Sequence, residues 1–265
     1  MQERFETTCD AFLDGRLHIR QPKKGFRSGL DTVFLAAACP AQEGDSVLEA
    51  GCGAGAGLLC LMSRVPGLTA WGVEADSGLA ALAEENASAN GFTESFRIIN
   101  ADVTSPWSAL EEAGLHQEAY NHVIANPPFF INGRARPSSD PRNARSRAMD
   151  HGDLDAWLRF LAGTAKPGGT ATVIHTAEAL PELLSVFGRR FGGVSVFPLF
   201  PKADAPAIRI IVTGTKGSRA PLTLAPGLVL HEKDGTPTAA AGEILRDGKS
   251  LLDTVAEFSR QRKPC

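Results

Sequence analysis

The stretch VLEAGCGAGAG, residues 47–57, joins two apolar segments through a run of glycines. We predict a strand over residues 46–50 and a helix over residues 56–64. Glycines between a strand and a helix permit a tight turn and let the backbone approach a ligand closely. In an open α/β sheet, ligands lie beyond the carboxyl ends of the strands. The stretch therefore predicts an α/β fold with a ligand site at this turn.

The chain on the carboxyl side of this turn continues to alternate between strand and helix patterns. Strands are predicted at 68–73, 96–100, 121–125, 170–175, 194–198 and 208–213, and helices at 79–90, 154–165 and 179–190, with a turn at 166–169. Such alternation is typical of a mostly parallel sheet with helices on both faces.

Three regions follow from the pattern. Residues 1–40 contain a predicted hairpin at 10–20, with Asp14-Gly15 in its turn, and a helix at 28–39. Residues 41–216 hold the alternating pattern. Residues 217–265 are predicted to pack on the main domain as an extension, with a strand or hairpin at 222–235 and a helix at 237–252 interrupted at Gly248.

Composition limits the classes of protein. The 265 residues carry a formal charge of -3, so nucleic acid could be bound only through a local basic patch. The five cysteines are scattered, and the six histidines have no metal-ligand spacing, so we predict neither a disulfide framework nor a metal site. We found no signal peptide and no apolar run of 18 residues, and therefore expect a cytoplasmic protein without a membrane segment.

The glycine turn is compatible with two ligands. Gly51, Gly53 and Ala56 satisfy the dinucleotide fingerprint, and Glu74 at the end of the second strand suits a ribose in either case. Glu49 distinguishes the two, because a carboxylate repels a pyrophosphate but attracts the ammonium and sulfonium groups of S-adenosylmethionine. A glycine turn without a ligand is the third interpretation.

The tetrapeptide Asn126-Pro127-Pro128-Phe129 follows the fourth strand directly, where the ligand crevice is expected. The Asn126 side-chain oxygen and the Pro127 carbonyl can accept the two N–H hydrogens of a planar amine, which orients a weakly nucleophilic nitrogen. Phe129 offers a face on which a base can stack. A proline-rich turn is the alternative, but the position favours methyl transfer to nitrogen.

Two further segments are candidates for binding the cofactor and a nucleic-acid substrate. Asp102 and Val103 end the third strand, where a carboxylate can accept the adenine amine and an apolar side chain can contact the ring; Asp102 alone could equally be a helix N-cap. Five arginines follow Phe130 and could contact phosphate, unless they form only a solvated loop: Arg134, Arg136, Arg142, Arg145 and Arg147.

These motifs, with Phe26, Arg27 and Asp31 before the glycine turn and Pro198-Leu-Phe-Pro201 after it, resemble the class I S-adenosylmethionine-dependent methyltransferases of amino groups. Within that class, the pattern is most similar to the small-methyltransferase group containing the bacterial tRNA(Val) adenine-37 N6-methyltransferases. The resemblance covers roughly residues 10–235. The fourth motif position, often Tyr in this group, is Phe129 here.

The resemblance implies a Rossmann-like seven-stranded sheet with an antiparallel last strand at 208–213, and residues 1–40 covering the cofactor. It implies that S-adenosylmethionine is held by Phe26, Arg27, Asp31, Glu49, Ala50, Gly51, Cys52, Gly53, Gly55, Glu74, Ala75, Asp102, Val103 and Asn126.

The expected activity is methylation of adenine N6 in tRNA, with Phe129, Phe130 and the five arginines against RNA. Alternatives are a release-factor glutamine, guanine N2 in ribosomal RNA, small-molecule or O-methyl transfer, and a nicotinamide enzyme or non-catalytic nucleotide-binding module. Neither the oligomeric state nor the role of residues 236–265 follows from the sequence.

Overall fold

The computed structural model describes residues 6–25, 27–128 and 153–261. The chain begins with the predicted hairpin, in which β1 (Thr7–Phe12) pairs antiparallel with β2 (Leu17–Pro22). Its turn is tight, with φ of 51° at Leu13, 55° at Asp14 and 82° at Gly15. Leu17 and Ile19 of β2 are buried, so the hairpin is packed on the core.

The main sheet contains seven longer strands: β3 (Ser46–Ala50), β4 (Thr69–Glu74), β5 (Phe96–Asn100), β6 (Tyr120–Ala125), β7 (Ala165–Thr176), β8 (Phe191–Phe200) and β9 (Arg209–Lys216). They lie in the order β5-β4-β3-β6-β7-β9-β8. Of these seven strands, β9 alone runs in the opposite direction to the other six. The predicted mostly parallel α/β sheet with an antiparallel strand at 208–213 is confirmed.

The predicted number of seven strands is wrong, because the chain after β9 adds two short strands to the same sheet. β10 (Thr223–Leu224) and β11 (Leu228–Val229) both pair parallel with β8, which gives a nine-stranded sheet in the described part of the chain. Residues 222–235 therefore do not form a hairpin with one another; they extend the β8 edge.

Helices cover both faces of the sheet. They are α1 (Leu30–Ala38), α2 (Ala56–Arg64), α3 (Ser77–Ala89), α4 (Trp107–Glu112), α5 (Asp153–Thr164), α6 (Leu180–Phe187), α7 (Ala239–Asp247) and α8 (Leu251–Gln261), with a 3-10 turn at Ala177–Ala179. One core cluster contains Phe34, Leu58 and Ile244, and the other contains Leu158 and Phe187. Helix α4 was not predicted from the sequence.

The segment at 166–169 is a bulge within β7 and not a turn before it. Pairing with β6 shifts from Tyr120–Ala165 to His122–Thr170, so the bulge accommodates additional residues without ending the strand. Gly168 in the bulge has φ of 77°. Gly248, with φ of 65°, ends α7, and a separate α8 follows where one interrupted helix was predicted.

Among the helices of the described residues, none is both long enough and apolar enough to cross a bilayer.

Candidate active site

The glycine turn lies at the carboxyl edge of the sheet, where the strand order reverses between β3 and β6. It is held by hydrogen bonds from the backbone N–H groups of Gly51 and Cys52 to the Val73 carbonyl, at 2.8 and 3.1 Å. Gly51 has φ of 65°, and a Cβ there would lie 2.5 Å from the ring of Trp157. This position therefore requires glycine on both conformational and steric grounds.

Glu74, at the end of β4, is tied directly to the glycine turn. Its carboxylate accepts hydrogen bonds from the N–H groups of Gly53 and Asp76, each at 2.9 Å. Burial raises the pKa of Glu74, and these two hydrogen bonds oppose that rise. Apart from its chain neighbours, no atom of the described residues lies within 4 Å of where a Gly53 Cβ would be, so there is unfilled space beside this carboxyl, although Gly53 is buried.

Glu49 lies beneath the turn, with only 3% of its surface exposed. Its Oε2 accepts a hydrogen bond from the Leu58 N–H at 3.1 Å, and a Cβ at Gly57 would lie 2.5 Å from its Oε1. The pKa of Glu49 is raised to about 8, mainly by burial; the Leu58 hydrogen bond lowers it and the nearby Glu74 carboxyl raises it. The carboxyl is thus directed at the first turn of α2, and a pKa of about 8 leaves it largely protonated at neutral pH. The predicted attraction between a charged Glu49 and the cationic end of S-adenosylmethionine is therefore not supported.

Asp102 follows β5 and forms a local turn. Its Oδ1 accepts hydrogen bonds from the N–H and the hydroxyl of Thr104, at 2.8 and 2.7 Å. It is not the N-cap of α4, because that helix begins at Trp107 after Pro106. Val103 is buried in the core cluster that includes Leu48.

Asn126 and Pro127 lie immediately beyond β6, whose last residue pairs with Ala50 at the end of β3. The tetrapeptide is therefore beside the glycine turn. The Asn126 Oδ1 atom is buried and has no hydrogen-bond partner among the described residues. A buried oxygen in that state is an acceptor available to a ligand, because buried polar atoms are otherwise satisfied.

Hydrogen bonds and ion pairs hold the start of α1 and the residues before it in place. Arg27 donates hydrogen bonds to Thr8 Oγ1, the Pro22 carbonyl and Asp10, all on the hairpin, at 2.7, 2.9 and 2.6 Å. Asp31 accepts a hydrogen bond of 2.8 Å from Arg209 Nε at the start of β9. The side chains of Arg27 and Asp31 thus connect the N-terminal region to its surroundings, and their contact with a cofactor stays a prediction.

Eight predicted site residues lie outside the described residues: Phe26, Phe129, Phe130, Arg134, Arg136, Arg142, Arg145 and Arg147. The described residues contain no group of three or more His, Cys, Asp or Glu side chains that could hold a metal ion.

Sequence reasoning missed three side chains near this edge. Trp157 of α5 packs against Gly51. Buried His175, next to the end of β7, has its pKa lowered to about 4 by burial and by the charge of Arg209. Asn86 of α3 binds the carbonyl of Ala54 in the glycine turn. None of the three lies in a local motif; Trp157 and Asn86 contact the glycine turn through the fold and not through proximity in the chain.

Residues 28–139 match the family described as "Methyltransferase small domain". A tRNA1(Val) (adenine(37)-N6)-methyltransferase of Shewanella halifaxensis is 30% identical over 203 residues, which is 74% of this chain and 78% of that protein. The chain belongs to the small-methyltransferase family. A protein of the same name from Dickeya chrysanthemi is 25% identical over 226 residues, covering 83% of this chain and 86% of that protein.

Solved structures agree with this assignment. A predicted O-methyltransferase of Agrobacterium tumefaciens has a TM-score of 0.70 and 26% identity, covering 83% of this chain and 97% of that one. An S-adenosylmethionine-dependent O-methyltransferase of Thermotoga maritima, at 18% identity and a TM-score of 0.52, covers 75% and 69% and supports the fold alone. This small methyltransferase is therefore an S-adenosylmethionine-dependent enzyme.

The site fits S-adenosylmethionine. The unfilled space at Gly53 lies beside the Glu74 carboxyl, and the buried Asn126 Oδ1 atom, at the carboxyl end of the neighbouring strand β6, has no hydrogen-bond partner among the described residues. A nicotinamide cofactor, which the glycine pattern alone also allowed, is not the cofactor of this family.

Proposed function

We propose that this small methyltransferase transfers a methyl group from S-adenosylmethionine to the N6 amino nitrogen of an adenine in tRNA. The observation that carries the proposal is the buried Asn126 Oδ1 atom, which has no partner among the described residues and follows β6 next to the glycine turn. An amino nitrogen offers the N–H donors that this oxygen lacks.

The chemistry assigned to the tetrapeptide is orientation of the nucleophile. S-adenosylmethionine, when bound, supplies a methyl group already activated by its sulfonium. Asn126 Oδ1 and the Pro127 carbonyl accept the two amino hydrogens and aim the nitrogen lone pair at the methyl. As the new N–C bond forms and the S–C bond of the donor breaks, the nitrogen gains positive character, and both hydrogen bonds strengthen. The breaking S–C bond leaves the neutral thioether S-adenosylhomocysteine, and the methylated nitrogen loses one proton to water. Holding the reactants in line contributes on the order of 7–11 kcal/mol.

The predicted cofactor contacts are proposed as follows. Glu74 binds the ribose hydroxyls, Asp102 and Val103 bind the adenine, and the backbone of residues 50–55 together with Ala75 lines the pocket. Phe26, Arg27 and Asp31 close over the methionine end. Glu49 supports the turn from below, since its buried carboxyl hydrogen-bonds to the first turn of α2.

The tRNA acceptor is supported by the names of the relatives, which are described as tRNA1(Val) adenine-37 N6-methyltransferases. On this proposal Phe129 and Phe130 stack on the acceptor base, and the arginines between residues 134 and 147 contact phosphates, which positions RNA without reading its sequence. The other acceptors are a release-factor glutamine, guanine N2 in ribosomal RNA and, from the name of the A. tumefaciens protein, a hydroxyl group.

The test is transfer of labelled methyl to total tRNA and, separately, to total protein and ribosomal RNA, all isolated from a strain that lacks the enzyme. We expect label in tRNA and, after digestion to nucleosides, in N6-methyladenosine. Label that appears only in protein, in guanine or in small molecules would overturn the proposal. In parallel, Arg134→Ala with Arg136→Ala should flatten the salt dependence of tRNA methylation.

A further inference from the structure

Two asparagines of α3 and its C-cap hold the free edge of the N-terminal hairpin. The Asn90 amide accepts from the His18 N–H and donates to the His18 carbonyl, at 3.0 and 2.9 Å. The Asn86 amide does the same with Arg20, at 2.9 Å in each direction. Each side-chain amide therefore takes the place that a neighbouring strand would take.

The spacing explains why the two amides fit. Positions four apart on a helix are separated by about 6 Å along its axis. Alternate residues of a strand are separated by about 6.6 Å. In an antiparallel strand, only every second residue directs its N–H and C=O to a given side. On the side of β2 that faces α3, these residues are His18 and Arg20, and Asn90 and Asn86 bind the N–H and C=O of one residue each. The two side-chain amides therefore bind the backbone of β2 with the hydrogen bonds that a neighbouring strand would make.

Asn86 differs from Asn90 in one further hydrogen bond. Its Nδ2 also donates to the carbonyl of Ala54, at 2.9 Å, between Gly53 and Gly55 of the glycine turn. The corresponding extra bond of Asn90 goes to the Asn86 carbonyl within the same helix. Asn86 is 1% exposed, and both of its N–H donors are used.

We propose that Asn86 is a positioning residue for the methyl donor. By fixing the Ala54 carbonyl, it sets the conformation of the turn on which S-adenosylmethionine lies. The same amide also binds Arg20, so one side chain hydrogen-bonds to both the hairpin and the turn. In the described part of the chain, the Asn90 amide hydrogen-bonds to His18 of the hairpin and to the Asn86 carbonyl, and not to the turn.

The experiment compares Asn86→Ala with Asn90→Ala in the full chain by calorimetric titration with S-adenosylhomocysteine. Since loss of the Asn86 amide leaves the buried Ala54 carbonyl without its donor, Asn86→Ala should raise the Kd about tenfold. Asn90→Ala should change the Kd by no more than about twofold, because its partners are distant from the turn. Equal increases in the two variants, or an unchanged Kd in Asn86→Ala, would overturn the proposal.

A second readout needs neither donor nor turnover. Amide hydrogen exchange of the ligand-free protein should be faster over residues 7–22 in both variants, and faster over residues 51–57 in Asn86→Ala only. Unchanged exchange at residues 51–57 in Asn86→Ala contradicts a positioning role.

If Asn86→Ala fails to fold, Asn86→Asp replaces it. Wild type and variant are both titrated in alkaline buffer, where the ionised carboxyl introduced at position 86 keeps the side-chain volume and the bond from the Arg20 N–H but offers no donor to the carbonyls of Arg20 and Ala54. The same increase of about tenfold in Kd is expected, as both variants leave the same carbonyl unpaired. A wild-type Kd in Asn86→Asp overturns the proposal.

Discussion

At the scale of single residues, Asn126 places a buried oxygen atom at the carboxyl end of β6. Its Oδ1 atom is buried, and it has no hydrogen-bond partner among the described residues. Leaving a buried acceptor unpaired costs about 1–3 kcal/mol, which is tolerated where a ligand later supplies the donor. The carboxyl end of β6, beside the glycine turn, is such a place.

We therefore expect Asn126→Ala to lower kcat by roughly 10²–10³, as for removal of an oriented transition-state acceptor, with little change in cofactor affinity. Single-turnover kinetics and titration with S-adenosylhomocysteine measure the two effects separately. Weak cofactor binding with a normal kcat would assign Asn126 to the cofactor pocket alone.

Glu49 predicts a pH dependence of stability. Its folded pKa of about 8 lies above the ordinary 4.5, so the folded chain keeps a proton that the unfolded chain has lost. The stability it contributes is complete below pH 4.5 and is lost as pH rises through about 8. Glu49→Gln removes this titration, so the variant does not lose stability in this way as the pH rises. The free energy of unfolding of the variant minus that of wild type should therefore increase by a few kcal/mol between pH 5 and pH 8.5.

Denaturant unfolding across that pH range measures the Glu49 effect. Glu43→Gln is a control for the loss of one carboxyl, because Glu43 is exposed and lies just before the amino end of β3. It should follow the wild-type profile. Parallel profiles for Glu49→Gln and wild type would contradict the raised pKa.

At the scale of elements, local pattern was sufficient where the chain alternates cleanly. Strands β3 and β5 and helix α2 have the predicted boundaries, because each apolar run is bounded by glycine, proline or polar residues. Prediction failed at the bulge near Gly168 and at α4. A glycine that suits a turn equally suits a bulge, and the choice depends on whether β6 continues alongside.

The candidate site follows the same division. The glycine turn, Glu74 and the tetrapeptide could be found from sequence because each directly follows a strand. Asn86 could not, because its partners Arg20 and Ala54 are 66 and 32 residues away. The orientation of Glu49 was also inaccessible, since its direction toward α2 depends on the space left by Gly57.

At the scale of the whole molecule, the C-terminal helices belong to the same core as the N-terminal region. Ile244 of α7 and Leu251 of α8 are buried in the cluster that contains Phe34 of α1. Arg16 in the hairpin turn donates a hydrogen bond of 2.8 Å to the Arg246 carbonyl. The two ends of the chain therefore stabilise each other.

Deletion of residues 236–265 should lower the Tm by roughly 10 °C or more, because it exposes apolar surface worth several kcal/mol on α1 and on the hairpin. Thermal unfolding measures this. A chain that lacks only residues 262–265 is the control and should unfold at the wild-type temperature. An unchanged Tm in the long deletion would mean that α7 and α8 add nothing to the core.

The placement of β9 has a consequence for biosynthesis. β8 is made before β9, yet each of its neighbours in the sheet, β9, β10 and β11, comes later in the chain. During synthesis, β8 therefore has no sheet partner and β7 has an unpaired edge until residues 209–216 leave the ribosome. These residues then form β9, which pairs with both strands. Open strand edges pair readily with other chains. We therefore expect nascent chains that end before residue 209 to aggregate more readily than the full chain.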